Sequence, residues 1–162
     1  MAKAYLLCGK ICSGKTTFAA ELKERTHAVL LSCDEITWQL FHNELGEQHD
    51  RMTASIQKYL LEKSVEIIQA GADVILDWGF WTAAERRTVR EFFARQGIPA
   101  EWYYMAVTPQ VWEKNIAKRN AAVLAEKSHD YFVDEGLRQK LGRLFEEPGR
   151  EEMDHWIELP SE

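Results

Sequence analysis

Paired cysteines, basic charge and long apolar runs are all scarce in this chain of 162 residues, and each scarcity excludes something. Cys8, Cys12 and Cys33 are an odd set with no CxxC pair. A disulfide scaffold is therefore not expected, and a reducing compartment, the cytoplasm, is the simplest setting. With 26 acidic against 20 basic side chains the formal charge is -6. That balance argues against a broad face for long nucleic acid, while leaving room for a small phosphate-bearing molecule. No stretch approaches the ~18 apolar residues of a membrane helix, and Met1 to Leu7 is too short an apolar start, ahead of Gly9 and Lys10, for a secretion signal. His27, His42, His49, His129 and His155 show no metal-ligand spacing with one another or with the cysteines. The Asn/Thr-Lys-x-Asp guanine motif of the common GTPases is also missing; Asn115-Ile116-Ala117-Lys118 does not supply it.

What is present is ordinary globular composition, 46% apolar and 28% charged, in a length that suits one domain over 1–162. Short apolar runs alternate with helical periodicity. Strands are predicted at Tyr5 to Cys8, Ala28 to Ser32, Val74 to Leu76, Trp102 to Val107 and His155 to Leu159. Between them, helices are predicted from the loop through Arg25, over Asp34 to Leu45, Met52 to Gln69, Thr82 to Gln96, Pro109 to Arg119 and Asp134 to Phe145. Thr82 with Glu85 has the capping-box pattern, and Pro109 suits a first helical turn. Such alternation predicts an α/β fold, a central parallel sheet of about five strands covered on both faces in a three-layer sandwich. Strand order does not follow from it.

The chemistry begins at Gly9-Lys10-Ile11-Cys12-Ser13-Gly14-Lys15-Thr16, a P-loop pattern set between a predicted strand and a predicted helix. Two glycines let the backbone curl so that successive N–H groups face phosphate oxygens, and the helix adds its positive end. These residues and Thr17 are the expected nucleotide cradle, for ATP or GTP. Lys15 is expected to bridge the terminal phosphates and Thr16 to ligate Mg²⁺.

Asp34 follows the second strand and Asp77 the third, the places where ligands meet an open parallel sheet. Asp34 suits an acceptor base and Asp77 a metal partner beside Thr16, although the two roles could be exchanged, and Asp34 could also cap the next helix. Arg119, near Lys114 and Lys118, is the candidate for offsetting charge on a moving phosphoryl group. Arg86 could reach an anionic acceptor. Trp38, Trp78 and Trp81 lie close to the two aspartates and suggest an aromatic acceptor wall. The polar segment after Arg119, about 120–134, has the composition of a mobile cover.

Taken with Leu31-Ser32-Cys33-Asp34, Ile75-Leu76-Asp77-Trp78-Gly79-Phe80-Trp81, Glu85-Arg86, Trp112 to Asn120 and Phe145-Glu146-Glu147-Pro148, the loop resembles the small P-loop kinases. The resemblance is to relatives of adenylate and shikimate kinases, and more closely to the branch holding the polynucleotide kinase domain, chloramphenicol phosphotransferase and zeta-toxin kinases. It implies an adenylate-kinase-like fold with a short helical lid. By that resemblance Asp34 is the acceptor-hydroxyl base, Arg119 contacts nucleotide phosphates at the start of the lid, and Asn120 is its recurrent partner. The chain departs from the polynucleotide kinases in placing Glu35-Ile36-Thr37-Trp38 where they carry an arginine. Lys114 also stands where close relatives often have arginine, and lysine cannot form the same two-pronged bond.

The expected function is ATP- and Mg²⁺-dependent transfer of a phosphoryl group to a hydroxyl of a small molecule. An NTPase switch answering to a partner protein is one alternative. A kinase acting on a nucleotide, a nucleotide sugar or a nucleic-acid 5′-hydroxyl is another.

Overall fold

Apolar runs with no alternation form the strands at the centre of the computed structural model, which describes residues 1–42 and 44–159. Asn43, inside the predicted second helix, and residues 160–162 lie outside the described residues. Strand β1 (Ala4–Cys8) is buried along its whole length, as a central strand covered on both faces must be. It lies between β3 (Val74–Gly79) and β4 (Ala100–Ala106), with β2 (Val29–Leu31) and β5 (His155–Glu158) at the edges. The order is β2-β3-β1-β4-β5 and every pairing is parallel.

Among the described residues six α-helices fill the intervals: α1 (Lys15–Thr26), α2 (Cys33–Phe41), α3 (His49–Gln69), α4 (Ala83–Arg95), α5 (Pro109–Leu124) and α6 (Glu135–Leu144). Ala19 and Leu22 of α1 pack on Leu7, Ile75 and Tyr103 on one face of the sheet. Ile68 of α3 and Val89 and Phe93 of α4 cover Leu6, Leu76 and Trp102 on the other. Leu6, Leu7, Ile75 and Leu76 are wholly withdrawn from water, and each such side chain contributes roughly 2 kcal/mol relative to exposure. A separate small core joins Ile11 of the loop after β1 to Trp112 and Ile116 of α5, Val133, and Leu141 of α6. Among the described residues no helix is long and apolar enough to cross a membrane.

Several boundaries differ from the sequence expectation. Helix α2 stops at Phe41, where His42 turns left-handed (φ 50°), instead of reaching Leu45. Its N-cap is Ser32, whose hydroxyl accepts from Glu35 N at 3.2 Å, so Asp34 is not the cap. Helix α3 starts at His49, three residues before the Met52 expected from its apolar periodicity. Helix α5 runs five residues past Arg119 to Leu124, placing that arginine inside the helix and leaving only residues 125–134 as an irregular cover.

Strand β3 likewise continues past Leu76. Leu6 pairs with Leu76 and Cys8 with Gly79, so Leu7 alone stands opposite both Asp77 and Trp78. This bulge breaks the alternation of faces and re-aims both side chains toward the C-terminal end of the sheet.

Arg86 is the largest fully buried side chain. Its Nε donates to Glu152 Oε1 at 3.0 Å, and Nη1 donates to the carbonyls of Phe80 and Glu146, both at 2.9 Å. The guanidinium thus ties α4 to the turn before β5 and does not face an acceptor, which corrects its assignment as a substrate-binding residue. Because removing one partner strands the other without water, Arg86→Ala is expected to cost roughly 3–5 kcal/mol of stability. Urea unfolding at neutral pH measures this; a loss below about 1 kcal/mol would contradict the buried role.

Candidate active site

The loop between β1 and α1 is shaped by left-handed residues, Cys12 at φ 58° and Gly14 at φ 87°. A Cβ at Gly9 would sit 2.6 Å from Ser13 Oγ, so any other residue there forces the serine side chain to shift. Carbonyls of the loop are drawn away from its concave side: Lys10 O accepts from Lys15 Nζ at 2.9 Å, Ile11 O from Trp112 Nε1 at 2.7 Å and Cys12 O from Asn115 Nδ2 at 2.8 Å. Trp112 and Asn115 are three residues apart on one face of α5, so a single helix turn clamps the loop. The sequence reading missed both clamps. Their spacing alone gave no sign that they touch a loop about a hundred residues earlier.

Two observations mark the loop as a fit for an anion. No side chain caps the N-terminus of α1 at Gly14, although the first four N–H groups of a helix have no partner within it. Ser13 Oγ is buried and has no partner among the described residues. Thr16 and Thr17 are exposed on the first turn of α1.

Lys15, Asp34 and Asp77 come together at the ends of β1, β2 and β3, as the sequence reading expected. Burial lowers the Lys15 pKa, and the charges of Asp34 and Asp77 oppose that shift. Burial raises the Asp77 carboxyl to about 6, with the Asp34 charge adding to the rise and Lys15 and a Ser32 hydrogen bond opposing it. The three groups form one electrostatic unit in which the lysine stabilises two carboxylates that repel each other.

A cavity of about 390 Å³ opens beside this unit, lined by both aspartates, Lys15, Ile11, Trp78 and Trp81. Gly79 lets Trp81 fold back over the strand end, because a Cβ at that position would meet Trp81 Nε1 at 2.5 Å and Gly9 O at 2.9 Å. Trp78 and Trp81 therefore both line this cavity. Trp38 does not: its ring stacks on His129 at 4.2 Å and meets His42 edge-on at 5.4 Å, joining α2 to the 125–134 segment outside the cavity. Thr53, Asp50 and Glu85 line the cavity without having been foreseen, since α3 and α4 carry them there by packing.

Arg119 stands at the edge of the cover, 3.7 Å from Asp130 and with its guanidinium 5.7 Å from the Tyr131 ring centre. Tyr131 itself lines the cavity. Asn120 fastens the same segment by two hydrogen bonds to Val133, Nδ2 to its carbonyl at 2.8 Å and its amide to Oδ1 at 2.7 Å. Lys10 turns from the loop to lie 4.3 Å over the Trp112 ring.

A family model described as AAA domain matches residues 5–148. No curated protein matches the chain significantly. Among solved structures, the fold is similar to the APS kinase of Mycobacterium tuberculosis in complex with AMPPNP and APS, at TM-score 0.69 and 19% identity over 99% of this chain and 90% of that one. A sugar kinase from a Janibacter species is similar at TM-score 0.64 and 19% identity, covering 98% and 85%. So is a gluconokinase of Sinorhizobium meliloti, at TM-score 0.64 and 14% identity over 99% and 84%.

The raised Asp77 pKa has a consequence for stability. Its folded value, about 6, exceeds the ordinary 3.8, so the cost of holding it ionised is present above pH 6 and vanishes below the ordinary value. Asp77→Asn removes that cost, at most about 3 kcal/mol. The melting temperature of the variant is expected to exceed that of the parent by several degrees near pH 8, with the gap closing toward pH 4. A variant less stable than the parent at pH 8 would contradict the assignment.

Proposed function

Because the chain belongs to the AAA domain family and carries this loop at the mouth of a small cavity, we propose that it is an ATP- and Mg²⁺-dependent phosphotransferase acting on a hydroxyl of a small molecule. One observation carries the reading: an uncapped helix end and a buried lysine face the same opening as two strand-end carboxylates. Phosphoryl transfer needs little else, since positioning and charge stabilisation account for most of its catalysis.

In this reading, loop amides from Gly9 to Thr17 and the positive end of α1 hold the phosphates. Ser13 Oγ, buried and without a partner among the described residues, is placed to share in that binding. Lys15 leaves Lys10 O to meet the terminal phosphates. Thr16 and Asp77 would hold the magnesium ion, a hard cation that asks few protein ligands. The bound ion supplies charge neutralisation.

Asp34 accepts the proton of the acceptor hydroxyl. Its position in the first turn of α2, away from the Ser32 cap, leaves the carboxylate free for this task. Trp78 and Trp81 hold the apolar part of the acceptor, and a volume near 390 Å³ suits a small molecule better than a nucleic-acid end. Arg119 swings with residues 125–134 to meet the charge that spreads over the transferred group, and the closed cover keeps water from taking the acceptor's place. The resemblance to the branch of polynucleotide kinase, chloramphenicol phosphotransferase and zeta-toxin kinases supports the same roles for Asp34 and Arg119.

Transfer of labelled γ-phosphate from ATP·Mg²⁺ into a panel of hydroxyl compounds tests the reading. Lys15→Ala and Asp34→Asn are each expected to lower kcat at least about a hundredfold, Lys15→Ala without unfolding the protein. Transfer that survives Lys15→Ala at the parent rate would remove the loop from the mechanism.

A further inference from the structure

The acceptor cavity has an unbalanced charge lining. Asp34, Asp50, Asp77 and Glu85 border it, against Lys15 and His49. Lys15 already answers Asp34 and Asp77, and in the phosphotransfer reading it is further committed to the nucleotide phosphates. Two carboxylates then remain for whatever enters: Asp50 on α3 and Glu85 on α4.

Glu85 is half-buried, and among the described residues no ion pair to it is found. Its Oε2 accepts from Trp81 N at 3.2 Å, and burial pushes its carboxyl up. The neighbouring arginine, Arg86, is turned away into its pair with Glu152. Asp50 stands at the rim, its Oδ1 3.4 Å from His49 Nδ1. Trp78 and Trp81 contribute indole rings to the same wall, surfaces that attract a cation through their π-electrons. Thr53 also lines the cavity, and its Oγ1 has no hydrogen-bond partner among the described residues.

An anionic acceptor would meet four carboxylates on a lining that sets Lys15 and His49 against them. A protonated amine would find two carboxylates and aromatic surface in one place. From this juxtaposition, and resting on the phosphotransfer reading, we infer that the acceptor is a cationic amino alcohol. Its ammonium group lies toward Glu85 and Asp50, and its hydroxyl toward Asp34. The hydroxyl oxygen forms the new bond to phosphorus, its proton passes to the Asp34 carboxylate, and the bond from phosphorus to the bridging oxygen of ADP breaks.

The test compares labelled transfer from ATP·Mg²⁺ to ethanolamine, choline and amino sugars with transfer to matched neutral polyols and to hydroxy acids. Amino alcohols are expected to exceed their neutral counterparts at least about tenfold in kcat/KM, with hydroxy acids unlabelled. Glu85→Gln and the exposed Asp50→Asn should each shrink that preference by raising the acceptor KM while the ATP KM stays unchanged. The second variant guards against loss of fold, because Asp50 lies at the rim. Preferential labelling of neutral or acidic acceptors overturns the inference and leaves the kinase reading standing. A preference unchanged in both variants also overturns it, as does a protein that binds AMPPNP but labels no amino alcohol. Failure to bind AMPPNP at all, with Lys15→Ala no different from the parent, overturns the phosphotransfer reading beneath it.

Discussion

Electrostatic coupling of one lysine to two carboxylates at neighbouring strand ends is the constraint on which the candidate site depends. A lone ammonium withdrawn from water would cost several kcal/mol, and the exposed Asp34 and half-buried Asp77 carboxylates would repel each other. Lys15, Asp34 and Asp77 together come closer to balance, but only if the ends of β1, β2 and β3 are held in register. Completely buried Leu6, Leu7, Ile75 and Leu76 supply that register. The balance is still imperfect: Asp77 remains hard to ionise, a cost carried in the folded state. Sites of this kind give up stability for chemistry.

Local devices then convert the sheet ends into a site. The bulge opposite Leu7 lets Asp77 and Trp78 reach the same cavity although they are adjacent in a strand. Gly79 allows the chain to turn so that Trp81 closes over the strand end. Trp112 and Asn115 pin the loop carbonyls, and Ile116 on the same helix belongs to the core that holds Val133 at the end of the cover segment. Helix α5 thereby joins the phosphate loop to the segment that carries Tyr131 over the cavity.

Arg86 illustrates how residue type can mislead about role. An arginine soon after a strand-end carboxylate reads as an anion receptor, yet it holds α4 to the turn before β5 through Glu152 and two carbonyls. Its withdrawal is what leaves the acceptor cavity acidic.

The sequence alone determined the α/β class, the positions of all five strands, the phosphate loop and the meeting of Lys15, Asp34 and Asp77. These features arise from short-range causes: apolar runs that must be buried, glycines at left-handed positions, and carboxylates close to the ends of apolar runs. Strand order, the length of α5 beyond Arg119, the fate of Arg86 and Trp38, and the presence of Thr53, Asp50 and Glu85 at the cavity were decided only in three dimensions. Each depends on which faces of separate helices come to pack together. A long side chain such as Arg86 or Trp38 can satisfy itself in several ways, and the choice is made by partners, Glu152 and His129, that are distant along the chain and near only after folding.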